Sequence, residues 1–79
     1  MNKTARRHEA EQLVIDSWDF IKQLPDGIEK EQLTIRRREL SGPNLDQVPE
    51  PELPERIRAL QTLLENSRTA VHRVMETSQ

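Results

Sequence analysis

The chain has 79 residues, 33% of them apolar and 33% charged, with a formal net charge of −2. That is one small domain with a thin core, too short for two domains and too weakly charged for a broad cationic nucleic-acid surface. It contains no cysteine, which excludes disulfides and thiolate metal sites, fits a reducing compartment, and leaves association with another chain as the expected staple.

The N-terminus, MNKTARRHEAEQ, carries cations but no apolar run of signal-peptide length follows it. No segment approaches the roughly 20 apolar residues that span a bilayer. A cytoplasmic protein without membrane contact is therefore expected.

Residues 3–24 are predicted to form an amphipathic helix. Ala10, Leu13, Val14, Ser17, Trp18, Phe20, Ile21 and Leu24 fall within a stripe of roughly 160° at 100° per residue, and Ile15 lies outside it. Pro25-Asp26-Gly27 ends the helix, since proline breaks the hydrogen-bond ladder and Asp-Gly supplies a turn.

In residues 28–40, IEKEQLTIRRREL, unbranched charged residues favour helix. The apolar residues at 28, 33, 35 and 40 make no single helical stripe, and LTI could sit in a strand. A short middle helix is the expectation. Residues 41–53 hold one glycine, three prolines and no cation; they read as an acidic linker with extended, polyproline-like backbone.

The last helix is predicted over residues 54–76. Ile57, Leu60, Leu64, Ser67, Val71 and Val74 step by 3, 4, 3, 4 and 3, a coiled-coil seam with one polar member. Leu63, Ala70 and Met75 widen it. Ser67 is read as a small residue hydrogen-bonded one turn back; the sharper alternatives are close helix approach opposite a bulky side chain such as Trp18, or a register device in an oligomer.

The fold class is accordingly all-α: a small helical bundle of two long helices and a short middle one, completed by dimerisation or by a partner chain. The spacing does not fix whether the long helices run parallel or antiparallel.

Several features are candidates for chemistry. Pro51-Glu52-Leu53-Pro54-Glu55-Arg56 has the PxxPxR form that polyproline-binding grooves accept. The favoured reading makes it a helix start instead, with Pro54 in the first turn and Glu52 and Glu55 complementing the dipole. In Arg36-Arg37-Arg38, Arg36 has Glu39 three residues on, whereas Arg37 and Arg38 have no acid at helical spacing. His8 with Glu11 and His72 with Glu76 share helical faces, but the inward stripes contain no carboxylate of the sort metal-binding bundles use. There is no tyrosine and no glycine-rich phosphate loop. No catalytic residue, cofactor, metal or small-molecule substrate is assigned.

What remains is an interaction protein: a regulator, inhibitor or accessory subunit that binds a protein partner or itself through apolar helix faces. The expected partner-binding residues are Ile15, Phe20, Leu63 and Ala70, with Arg37 and Arg38 steering approach. The alternative is a small dimeric nucleic-acid-associated regulator touching phosphates through Arg36, Arg37, Arg38, Arg6 and Arg7.

Overall fold

A computed structural model describes residues 5–42 and 45–77. They form three α-helices, α1 (Ala5–Ile21), α2 (Ile28–Ser41) and α3 (Leu53–Thr77), with two 3₁₀ turns, Leu45–Gln47 and Glu50–Glu52, between α2 and α3. No strand occurs among the described residues. The middle segment is thus helix, as its unbranched residues favour. The predicted start of the first helix at residues 3 and 4 lies outside the described residues.

Contacts at the two ends fix the direction of the helices. At one end Ala10 of α1 clusters with Leu53, Ile57 and Leu60 of α3; at the other Leu24 clusters with Ala70 and Val71. The long helices therefore run parallel. Helix α2 ends beside the start of α3, where Arg56 reaches the Leu40 carbonyl, and begins beside the end of α3, where Glu29 pairs with Arg73. The arrangement is an up-down-up bundle, 48 Å long and about 19 Å across, in which α2 covers apolar surface that two helices alone would leave wet.

The linker departs from the sequence expectation. It is folded back, with Leu45 and Val48 buried in the same cluster as Ala10, Leu40 and Leu53. The three apolar residues outweigh the extended preference of the prolines, because burying each is worth about 1.5–3 kcal/mol. Pro49 keeps extended backbone and sits just before the second turn, which Pro51 helps to start. Proline contributes a fixed φ there and gives up no ladder hydrogen bond.

The inward face of α3 is also rotated from the predicted seam. Ile57, Leu60, Ser67 and Val71 are buried, but Leu64 and Val74 are partly exposed, while Leu63 and Ala70, placed on the flank by spacing, are each 2% exposed. Two helices, α1 and α2, press on α3, so the covered face is centred between two heptad seams rather than on one.

Between the two clusters lie Ser17 and Ser67, both without exposed surface. Each hydroxyl donates to a carbonyl one turn back, Ser17 Oγ to Val14 O at 2.9 Å and Ser67 Oγ to Leu63 O at 2.8 Å. Neither polar atom is left unpaired in the core, which removes the cost of burying it. The bond one turn back is the small-residue reading of Ser67, and small side chains at this level let α1 and α3 approach. Trp18 is not its opposite number; that ring lies under Arg37.

Candidate docking face on the first two helices

The helix directions decide which side chains are spent inside the bundle and which remain outside. Three arginines tie elements together through backbone carbonyls. Arg7 Nη1 donates to Leu45 O at 2.6 Å and its Nη2 lies 3.6 Å from Glu50 Oε2, fixing the linker to α1. Arg37 Nε donates to Val14 O at 3.0 Å, fixing α2 to α1. Arg56 Nη1 donates to Leu40 O at 2.5 Å; that carbonyl is among the last four of α2, which have no partner within their own helix.

These bonds revise the candidate residues. Arg56 belongs to α3 and is engaged, so PxxPxR is a helix start and not an extended ligand. Leu63 and Ala70 are interior and cannot meet a partner, because the burial of α3 by two helices covers the flank on which spacing had placed them. Phe20 is half-buried against Leu24, Ala70 and Val71. Arg37 is partly buried, with its guanidinium 5.2 Å from the centre of the Trp18 ring, a cation–π distance. Arg36 lies 3.9 Å from Glu39. Arg6 and Arg38 are exposed. His8 is exposed, and His72 stands in solvent 3.7 Å from Glu76. Among the described residues no three His, Asp or Glu side chains gather as a metal site.

Among the described residues, the large apolar side chains left in solvent are Ile15 (54% exposed), Trp18 (38%), Ile28 (74%), Ile35 (47%) and Met75 (62%). Three of them share one face. On α1, Ile15 and Trp18 are neighbours at i and i+3; on α2, Ile35 lies with Trp18 along an open groove of about 620 Å³ whose walls include Glu31, Thr34 and Arg38. Antiparallel packing makes this possible. Because Arg37 is level with Val14, Trp18, four residues on, is level with Leu33, within two residues of Thr34 and Ile35 along the same groove, and Arg37 props the indole at the groove's mouth.

Sequence reasoning had placed Trp18 in the buried stripe and had left Ile35 and Glu31 without a role. The signal was present in α2. Its apolar residues separate into Leu33 and Leu40, seven apart and inward, and Ile28 and Ile35, seven apart and outward. Four positions that refuse one stripe are two half-stripes on opposite sides.

The described part of α3, the longest helix, is not apolar enough to cross a membrane, and neither is any other described helix. No family model matches the chain, no curated protein matches it in sequence, and no solved structure matches its fold.

Proposed function

We propose that the protein is a small non-catalytic interaction module, a regulator or accessory subunit, that docks a protein partner on the face formed by α1 and α2. The observation that carries this reading is that Trp18 and Ile35 line one groove, with exposed Ile15 three residues before Trp18 on α1, outside a bundle whose interior is already closed. Water contact over these side chains is unfavourable by about 25 cal/mol per Å² of apolar surface. Neighbouring apolar side chains rimmed by charge, here Glu31 and Arg38, are the form that protein contact sites take. An indole held in place by Arg37 supplies a rigid anchor of the type that dominates binding energy at interfaces.

The nucleic-acid alternative needs Arg36–Arg38 together with Arg6 and Arg7. Arg7 and Arg37 are committed to carbonyls within the bundle, and Arg36 has an acid beside it. That distribution weighs against a phosphate-binding surface.

The test is a photo-crosslinking amino acid placed at Ile35, with Gln61 on the exposed side of α3 as the control, in the cells that make the protein. Protein adducts at position 35 and none at position 61 are expected. Equal labelling at both positions, or none at either, would overturn the reading.

A further inference from the structure

The charges along the docking face identify an occupant. On α2 the outward surface carries Glu31 at one end, Thr34 and Ile35 in the middle and Arg38 at the other end. Glu31 and Arg38 are separated by seven residues, two helical turns, or about 10.5 Å. Both are exposed, and neither has an ion-pair partner within the described chain. On α1 their midpoint is level with the stretch between Ile15 and Trp18, by the register that the Arg37–Val14 bond sets. The Glu31 end also carries Asp26 and Lys30, which pair with each other at 3.6 Å, so the face is apolar at its centre, net acidic on one side and basic on the other.

Such a pattern is complementary to itself turned end for end. We propose that the partner is a second copy of this chain, packed antiparallel about a two-fold axis that lies in the interface, perpendicular to the helices and level with the midpoint between Glu31 and Arg38. That operation lays α2 on the α2 of the second copy and α1 on its α1. It places Glu31 opposite Arg38 of the second copy twice, once at each end, around a centre of Ile15, Trp18 and Ile35 from both chains. The alternative two-fold, parallel to the helices, brings like levels together and sets Arg38 near its own copy, so the charges select the antiparallel form. The result is a four-helix layer of α1 and α2 pairs with the two α3 helices on the outside. The inference rests on the docking-face reading and deepens it.

The footprint is limited by α2, whose 14 residues measure about 21 Å. It lies at the small end of specific interfaces, so a micromolar Kd is expected. Sedimentation velocity on the full chain from about 5 to about 500 µM brackets such a Kd, and the one tryptophan gives a second readout at the centre of the contact. A monomer–dimer equilibrium with a concentration-dependent blue shift of Trp18 emission is expected. Glu31→Arg and Arg38→Glu should each weaken the dimer by about tenfold or more, because each makes two like-charge contacts. The double variant E31R/R38E should restore it, and Ile35→Asp should be monomeric with unchanged helical circular dichroism.

Three results would overturn the proposal: a monomer across the whole range, a dimer indifferent to Ile35→Asp, or a double swap that fails to recover association. A monomer that still forms adducts with a different protein at residue 35 removes self-association and keeps the docking face. A monomer with no adducts removes both.

Discussion

The two ends of this bundle are built from the same three helices and differ in what closes them. At the end where α3 begins, the linker folds back and places Leu45 and Val48 against Ala10, Leu40, Leu53, Ile57, Leu60 and Leu63. Arg7 and Arg56 bond carbonyls around that cluster. At the opposite end a short turn, Pro25-Asp26-Gly27, crosses from α1 to α2, and the buried apolar set is Ile21, Leu24, Ala70 and Val71, with Phe20, Leu33 and Val74 half-covered. The sealing unit is thus the segment with most of the prolines. A bundle of this size has few layers of core, and thirteen residues of linker supply an extra one at one end.

The comparison is broken most directly in the core. Leu53→Ala removes a fully buried side chain at the junction of linker and α3, and should cost about 2–5 kcal/mol, a large fraction of the stability of a small domain. Val71→Ala at the thin end removes less volume beside partly wet neighbours, and should cost about 1–2 kcal/mol. Urea denaturation monitored by circular dichroism ranks them; a larger loss for Val71→Ala would mean that the turn end holds the bundle together. The arginine contacts come next. Arg56→Met keeps the apolar stem and leaves the Leu40 carbonyl without its donor, and should cost about 1–2 kcal/mol, as should Arg7→Met through Leu45. No change in either variant would show that water replaces the guanidinium freely.

Much of this was legible in the residues. The start of α3 follows from Pro54, which favours initiation, and Ser67 is the small hydroxyl its spacing suggests; α1 instead stops at Ile21, three residues short of the expected Leu24, where bonds from Gln23 N to Phe20 O and from Leu24 N to Ile21 O tighten the chain ahead of Pro25. What escaped has common causes. Burial of Leu45 and Val48 was masked by three prolines nearby, since local preference carries no information about a cluster assembled from α1, α2 and α3. The rotation of α3 that hides Leu63 and Ala70 depends on having two helical neighbours, a tertiary fact. The roles of Arg7, Arg37 and Arg56 leave no pattern because their partners are backbone carbonyls, which every residue possesses. Of the docking face, Ile15 was legible as an outlier. Trp18 was misassigned because it borders both the interior and the groove, and a 160° stripe cannot say which side its edge residue takes.

The exposed ion pair at the turn end should contribute least. Arg73 Nη1 and Glu29 Oε2 lie 3.3 Å apart and join α3 to α2 at the turn end, in the same position along the bundle that Arg56 and Leu40 O occupy at the sealed end. Their side chains are 63% and 49% exposed, so water and salt compete with the contact. Arg73→Met should therefore cost only a few tenths of a kcal/mol, and the loss should shrink further as salt is raised across a denaturation series. The cost of Arg56→Met, by contrast, should persist in salt, because its acceptor is a partly buried carbonyl with no intrahelical donor. Equal salt sensitivity in the two variants would contradict the assignment of Arg56 to a sealed end. A cation bound to a carbonyl holds one end of this protein and a cation bound to a carboxylate the other, and the stronger of the two is the one without an opposite charge.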